Sequence, residues 1–400
     1  MKRFILTIYI LLGMLGAVQA TTFVGYPISP QQTQISLLTC SPGELIYELF
    51  GHTAIRVTDP THGIDFTVNY GLFSFDQPHF VYRFVRGKTD YMVGVSYTSS
   101  FIKSYKERGS TVTESILNLT EQEKADLISR LDENLLPENR EYRYNFIYNN
   151  CATKVRDMIE TSLNRKISYP THVDYYSFRE AIMLYTENAP WSQLGFDLCL
   201  GKGADKNTTQ RELLFLPEML GNTYASASVT DSIGKVPLCT RTHTLTAGVS
   251  EDSSSWFSPT LCAYLLLLFA LYASFFLRKH KVWLEVFDIV IFTINALGGC
   301  LILFLILYSQ HPFTGQNYNI LWMNPLTIFP LLAAIFPFLK KINGLFYLGA
   351  TTMCLIFIIV MPILLQHFNL AVLPWVSTML LRSYLRFAEI RERHKNRIRI

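Results

Sequence analysis

A cysteine, a histidine and an asparagine in this chain have types and spacing suited to nucleophilic chemistry. Cys151 follows an aromatic, strand-like run and two turn-prone asparagines, and it opens a segment with helical spacing of apolar residues. A thiol at a helix N-terminus lies near the positive end of the peptide dipoles, which lowers its pKa and favours the thiolate. Most lone cysteines are small buried hydrophobic residues. A catalytic role for Cys151 therefore has to be supported by a second residue that can act as its base.

His52 is the candidate base. It directly follows Gly51 and begins an alternating pattern typical of a half-buried strand, and Asn69 lies within a second strand-like run at residues 65–75. If these strands are neighbours in an antiparallel sheet, His52 and Asn69 share a face, and a helix across the sheet end brings Cys151 to His52. The three would supply a thiolate, an imidazole acid and base, and an amide that fixes the imidazole tautomer. We expect the backbone N–H of Cys151 to be the first donor to the oxyanion and Asn150 to be the second.

The elements that position these residues lie between two apolar ends. Hydrophobic residues make up 50% of the chain, and the mean hydropathy is +0.21, too apolar for an ordinary soluble protein. Residues 1–20 have a basic start, an apolar run and a small-residue cleavage site, which predicts a signal peptide. Residues 21–255 mix polar and apolar positions and predict one sizeable exported domain.

The C-terminal part predicts a membrane domain over residues 256–385, followed by a basic tail over residues 386–400. Five uncharged runs lie at residues 257–277, 289–310, 321–339, 342–366 and 368–381. A crossing helix needs about 20 apolar residues, which the third and fifth runs reach only with their flanks. Lys and Arg cluster at residues 278–281, at 340–341 and in the tail. With five crossings, the positive-inside rule predicts an external domain and a cytoplasmic tail.

Other residues carry weaker expectations. The net charge of +4 comes from the cytoplasmic junctions and does not argue for nucleic acid. Metal-binding spacings are missing from the sequence, so no metal and no cofactor is predicted. Cys199 and Cys239 are expected to form a disulfide in the exported domain, and Cys40 to be a buried thiol. Arg56 is a candidate phosphate ligand, although arginines are expected in any such domain. Four residues of an external loop could meet lipid headgroups or simply anchor the interface: Asn317, Asn319, Trp322 and Asn324.

The arrangement of these motifs resembles a known family. The order of His52 and Cys151 resembles the circularly permuted, NlpC-like papain fold that includes lecithin:retinol acyltransferase. The segments LLTCSPGELIYELFGHTAIRV (residues 37–57), NYGLF (69–73) and YNFIYNNCATKVRD (144–157), followed by five apolar runs, look more closely like the Bacteroides-type lipoprotein N-acyltransferases, the Lnb family. The resemblance implies a permuted papain-like α+β domain on a helical membrane domain.

This resemblance implies acyl transfer at the outer, periplasmic face of the bacterial inner (cytoplasmic) membrane. A phospholipid would donate an acyl chain to Cys151, and the α-amine of a diacylglyceryl-cysteine at a lipoprotein N-terminus would attack the thioester. Cys151 corresponds to the family's nucleophile and His52 to its base and acid, whereas Asn69 as third residue comes from the strand pattern alone. Five crossings exceed what an anchor needs, which favours a substrate that lives in the bilayer.

Two other functions fit the same residues. A membrane-bound cysteine hydrolase that cleaves a peptidoglycan amide or a lipid ester would have a groove open to water. A non-enzymatic binding module would use Cys151 structurally, for example in a disulfide with Cys40.

Overall fold

The computed structural model describes residues 21–170, 176–232, 234–248 and 256–398. The predicted signal peptide, the predicted domain boundary at residue 255 and the last two residues of the predicted tail lie outside the described residues. The described part of the chain forms a sheet-rich α+β domain followed by a helical domain.

An antiparallel sheet is the frame of the N-terminal domain. The strands of the described residues are β1 (Thr22–Phe23), β2 (Tyr26–Pro27), β3 (Gln34–Cys40), β4 (His52–Asp59), β5 (Ile64–Leu72), β6 (Asp90–Tyr97), β7 (Val112–Leu117), β8 (Glu141–Arg143), β9 (Lys166–Ser168), β10 (Ser228–Thr230), β11 (Lys235–Pro237) and β12 (Cys239–Thr246). The large sheet has the order β12-β7-β3-β4-β5-β6-β8. The strands β9, β10 and β11 form a small second sheet, and β1 pairs with β2. The predicted neighbours β4 and β5 are thus paired at the centre of the large sheet.

Helices cover both faces of this sheet. They are α1 (Phe80–Val85), α2 (Thr98–Glu107), α3 (Glu121–Leu135), α4 (Cys151–Ser162), α5 (Phe178–Thr186), α6 (Pro190–Cys199), α7 (Gln210–Leu213) and α8 (Pro217–Ser226). Ile55 and Val57 of β4 join the larger core with residues of α3, α4 and α8, whereas Ala54 packs with Phe101 of α2. Successive side chains of a strand point to opposite faces, so this central strand is packed against helices on both sides.

The C-terminal domain is helical. Its helices are α9 (Pro259–Phe276), α10 (Lys281–Tyr308), α11 (Phe329–Ile335), α12 (Asn343–Val360) and α13 (Val372–Ile398). Within the residues described, four helical stretches are long and apolar enough to cross a membrane, at Pro259–Phe276, Lys281–Tyr308, Tyr318–Ile335 and Pro337–Ile363. They coincide with the first four predicted crossings. The fifth predicted crossing forms the start of α13, which continues as helix through the predicted tail to Ile398.

Buried charges tie α13 to α10. The Nε atom of Arg382 lies 2.6 Å from Asp288 Oδ1, and the Nε atom of Arg386 lies 2.8 Å from Asp288 Oδ2. Arg382 and Asp288 are almost completely buried. Charged residues in a membrane bundle usually face its interior and pair with one another. These charges therefore belong to the interior of the helical domain.

A buried polar network joins the two domains. Arg179 of α5 pairs with Asp197 of α6 and with Asp205, at 3.2 Å and 2.8 Å. The second carboxylate oxygen of Asp197 accepts a hydrogen bond from Asn369 at 2.9 Å, and the Asp197 carbonyl accepts one from Asn319 at 3.1 Å. Buried polar groups are normally satisfied in this way. The network holds two loops of the helical domain against the N-terminal domain.

Candidate active site

Cys151 is the first residue of α4, at the predicted helix N-terminus. Asn150 caps this helix: its Oδ1 accepts a hydrogen bond from the N–H of Thr153 at 2.9 Å, and its own N–H donates to the Thr153 hydroxyl at 2.8 Å. The Asn150 side-chain amide donates to the carbonyls of Phe146 and Phe215. The expectation that the Asn150 side chain is an oxyanion donor is corrected, because its amide group already donates to these two carbonyls, which lie outside the helix.

The sheet brings His52 and Asn69 together as the strand pattern predicted. Asn69 is the cross-strand partner of Ala54, two residues from His52 on the same face of β4. The Nε2 atom of His52 lies 2.5 Å from Asn69 Oδ1. A carbonyl oxygen only accepts, so Nε2 carries the hydrogen and Nδ1 is left for the thiol. This is the tautomer a general base for Cys151 needs.

Gly71 lies beside both Cys151 and His52. Its φ is +95°, in the region that favours glycine, and a Cβ there would lie 3.5 Å from Cys151 Cβ and 3.8 Å from His52 Cε1. The residue belongs to the NYGLF motif and falls where a bulge shifts the β5–β6 register after Tyr70. These distances are ordinary van der Waals contacts, so a methyl group here would touch both side chains, and the positive φ is what favours glycine.

The electrostatics of the pair favour charge separation. Burial alone would raise the pKa of Cys151, yet the His52 charge and a hydrogen bond from His52 bring it below the usual value for a thiol. Burial alone would lower the pKa of His52, but the Cys151 thiolate and the hydrogen bonds to Cys151 and Asn69 raise it. The two groups therefore stabilise each other as thiolate and imidazolium.

Backbone donors also point at the sulfur. The N–H groups of Thr53 and Ala152 lie within hydrogen-bonding reach of Cys151 Sγ and help to lower its pKa. Thr53 follows His52 in β4, so the same strand supplies the base and a donor. Sequence inspection did not identify the Thr53 N–H, because only the tertiary packing of α4 on β4 brings it to the thiol.

The side chains of Tyr105 and Arg108 pack behind His52. The ring of Tyr105, on α2, is stacked with the His52 ring at 6.3 Å between centroids. The guanidinium of Arg108 lies over the Tyr105 ring, 4.2 Å from its centroid, and pairs with Glu48 at 2.7 Å. Burial raises the pKa of the Cys40 thiol, so Cys40 stays protonated. Cys40 and Cys151 are both free thiols.

Arg56 is engaged elsewhere on the sheet. Its guanidinium makes two hydrogen bonds of 2.8 Å to the carboxylate of Asp65 and further bonds of 3.2 Å to Glu114. The predicted role of Arg56 as a phosphate ligand is corrected, because both of its hydrogen-bonding edges are used by carboxylates.

The loop residues expected to meet lipid headgroups have internal partners instead. Asn317 donates to the Leu198 carbonyl at 2.7 Å, and Asn319 accepts from the indole N–H of Trp322 at 3.1 Å. Asn324 caps the turn Pro325–Ile328 by accepting from the N–H of Leu326. Asn317, Asn319 and Trp322 are buried. The expectation of substrate contact is corrected for these residues, which build the joint between the domains.

The expected disulfide between Cys199 and Cys239 is not formed, because both cysteines are free. Cys239 begins β12 and belongs to the core of the large sheet, whereas Cys199 ends α6, next to the Leu198 carbonyl that binds the helical domain. Over the described residues there is no group of three or more His, Cys, Asp or Glu side chains that could hold a metal ion.

Comparison with known proteins identifies the family of the chain. The family model of the Lnb N-terminal periplasmic domain matches residues 26–182, and that of the Lnb transmembrane domain matches residues 251–393. No curated protein and no solved structure matches the chain. The family matches confirm the resemblance drawn from the sequence motifs. The chain therefore belongs to the Lnb family, with a periplasmic N-terminal domain and a C-terminal transmembrane domain.

Proposed function

We propose that this protein is a lipoprotein N-acyltransferase that works through a Cys151 thioester. Membership of the Lnb family supports the reaction class. The observation that carries the mechanism is the Cys151–His52–Asn69 arrangement, with the pKa of the thiol lowered and that of the imidazole raised. A permuted papain-like fold is part of the proposal, and it is supported by the nucleophile on a helix N-terminus and the base on the adjacent sheet.

The first half-reaction would acylate the enzyme. The Cys151 thiolate attacks the ester carbonyl of a phospholipid, and the carbon–sulfur bond forms as the carbonyl becomes a tetrahedral oxyanion. The oxyanion collapses, the ester carbon–oxygen bond breaks, and the leaving lysophospholipid oxygen takes the proton from the His52 imidazolium. Backbone N–H groups at the helix N-terminus stabilise the oxyanion, with that of Cys151 as the expected first donor.

The second half-reaction would transfer the chain to a diacylated lipoprotein. The α-amine of its diacylglyceryl-cysteine attacks the thioester carbonyl, and neutral His52 takes a proton from the attacking amine. The carbon–sulfur bond breaks, the thiolate of Cys151 leaves, and an amide remains on the lipoprotein. Through both steps, the hydrogen bond from His52 Nε2 to Asn69 Oδ1 holds the ring in one orientation. The proposed reaction uses no cofactor.

Five membrane crossings with a cytoplasmic C-terminus belong to this proposal. Helix α13 packs along α9 and α12, and Val376 and Met379 are buried in the core of the helical domain. The pairing of Arg382 with Asp288 supports a crossing by α13, because it neutralises a charge that lipid would not accept. The basic junctions would then lie on the side opposite the N-terminal domain.

Intact-mass spectrometry of the purified membrane protein tests the thioester. We expect wild-type protein purified without lipoprotein acceptor to carry an added fatty-acyl mass that neutral hydroxylamine removes. Cys151→Ser should lack the hydroxylamine-sensitive adduct, and Cys40→Ser should keep it as the matched control, since Cys40 is a neighbouring buried thiol. Absence of any adduct in wild type, together with release of free fatty acid, would favour the hydrolase instead.

A further inference from the structure

A partly exposed cluster of aromatic side chains, with Phe80 buried at its centre, extends from the candidate active site towards the helical domain. We call the rings of Tyr47, Phe73, Phe75, Phe80 and Phe84 the aromatic ramp, since each lies within 6.2 Å of another member between centroids. Phe75 is 61% exposed and Tyr47 is 52% exposed. Val81, beside the ramp on α1, is 72% exposed. Contiguous apolar surface of this kind usually marks a binding surface for protein or membrane.

One end of the ramp is attached to a membrane-spanning helix. Phe84 lies 5.4 Å from the His311 ring between centroids, and its carbonyl is 2.6 Å from His311 Nε2. Tyr82, also on α1, contacts Phe304 inside α10 at 6.2 Å. Because Phe304 lies in the apolar part of α10, one turn from its end, α1 is held beside the end of a helix that is long and apolar enough to cross a membrane.

The other end of the ramp leads to the nucleophile. Phe73 stacks with Tyr91 at 4.8 Å, and Tyr91 stacks with Tyr144 at 4.1 Å. Phe73 also follows Gly71, the glycine beside Cys151 and His52, by two residues. Ring contacts therefore run from α1 to Phe73, and Phe73 lies two residues along the chain from the glycine at the active site.

We propose that the aromatic ramp lies in the outer leaflet of the membrane and guides the acyl chain of the donor lipid to Cys151. This inference rests on the proposed acyl transfer and adds the route of the donor. The occupant is membrane lipid because the surface continues the lipid-facing side of α10, where Leu301 and Leu307 are exposed. A tyrosine and an arginine among apolar residues, as with Tyr82 and Arg83 in α1, are also typical of membrane interfaces.

Fluorescence quenching tests where the ramp lies. The full chain with Val81→Trp is reconstituted in phosphatidylcholine vesicles whose acyl chains are brominated, and its emission is compared with that of wild type in the same lipid. We expect the added tryptophan to be quenched. Tyr97→Trp is the matched control, because Tyr97 is also well exposed but lies at the opposite end of β6 from the active site. If the tryptophan at position 81 is no more quenched than that at position 97, a protein or water covers this surface and the inference fails.

Acylation kinetics test the route itself. Cys151 acylation is measured with a long-chain phosphatidylcholine and with the water-soluble ester 4-nitrophenyl butyrate. In the double variant Phe75→Gln, Val81→Gln, we expect the ratio of long-chain to short-chain rates to fall by about tenfold or more, as apolar contacts with the chain are lost. Tyr97→Gln, the control, should keep the wild-type ratio of long-chain to short-chain rates. If the double variant also keeps the wild-type ratio, the acyl chain does not reach Cys151 over the aromatic ramp. If wild-type Cys151 accepts neither acyl group, the proposed transfer fails, and the quenching experiment still decides where the ramp lies.

Discussion

The Nε2 atom of His52 lies 2.5 Å from the Oδ1 atom of Asn69, across two adjacent strands of the central sheet. This contact uses Nε2 and leaves Nδ1 as the ring nitrogen available to the thiol of Cys151. The thiol comes from a third element, α4, which packs against β4 and β5 in the larger core. The site is therefore rigid on both sides, because its base lies on a buried strand and its nucleophile on a capped helix.

The first prediction concerns the pH dependence of thiol reactivity. Because the pKa of Cys151 is lowered, its thiolate persists as the pH falls below the ordinary pKa of a thiol, and it is lost only below the lowered value. The rate of Cys151 alkylation by iodoacetamide, followed by peptide mass spectrometry, should therefore rise at a lower pH in wild type than in His52→Ala. We expect a difference of at least about one pH unit. Cys40 in the same digest is the control and should react slowly, since burial raises its pKa. Identical pH midpoints of Cys151 alkylation in wild type and in His52→Ala would contradict the Cys151–His52 ion pair.

The second prediction concerns Asn69. Replacing it with alanine removes the hydrogen bond that fixes the His52 ring, which should slow Cys151 acylation by about tenfold to a hundredfold. Asn69→Gln or Asn69→His should recover part of the rate, because either side chain can accept from Nε2. Asn118→Ala, on an exposed asparagine whose amide binds the Pro237 carbonyl, is the control. A wild-type rate and alkylation profile in Asn69→Ala would remove this residue from the site.

The third prediction separates backbone strain from side-chain contact at Gly71. Gly71→Ala places a non-glycine residue at φ +95° and should cost about 1–2 kcal/mol of stability. Its methyl group would also touch Cys151 and His52 and restrict their movement, so acylation should fall more than the loss of folded protein explains. Gly63→Ala is matched, because Gly63 has φ +68° and open space around it. Thermal unfolding and acylation rates of both variants provide the comparison, and equal effects on acylation would show that contact with Cys151 and His52 does not matter.

The fourth prediction concerns the joint between the domains. Arg179→Met leaves the carboxylates of Asp197 and Asp205 without their buried partner, which should destabilise the protein by about 3–5 kcal/mol. The unfolding midpoint in detergent, followed by intrinsic fluorescence, should fall clearly. Arg130→Met, on the exposed face of α3, should leave the midpoint near that of wild type. An unchanged midpoint in Arg179→Met would mean that the network does not hold the joint.

The fifth prediction concerns topology. With five crossings, green fluorescent protein fused after Ile400 should fluoresce, and alkaline phosphatase fused at the same point should be inactive. The fluorescent fusion works in the cytoplasm and the phosphatase only outside it, so the two give opposite signals. An active phosphatase fusion would indicate four crossings and would place α13 on the outer surface.

The family, the helix that begins at Cys151 and the first four apolar membrane helices could be predicted from local patterns. Helical spacing after Cys151, alternation after His52 and long apolar runs each depend on neighbours in the chain, and the family matches and the structure agree with them. The predicted pairing of Cys199 with Cys239 was wrong, because spacing does not reveal which elements become neighbours in space. The roles expected for Arg56 and Asn319 were wrong for a related reason. Their partners, Asp65 and Glu114 for one and Asp197 and Trp322 for the other, are set by the folded arrangement.

What the sequence determined by itself was which residues could carry the proposed chemistry and the elements that hold them, since residue type and periodicity are properties of the chain. Only the tertiary structure decided how these parts meet: the His52–Asn69 contact, the effect of the Thr53 N–H on the thiol and the glycine beside Cys151 and His52. The same holds for the aromatic ramp, whose rings come from three separate segments and contact the loop that follows α10. Contacts between distant segments depend on packing and strand register, which a single sequence does not encode in any local pattern.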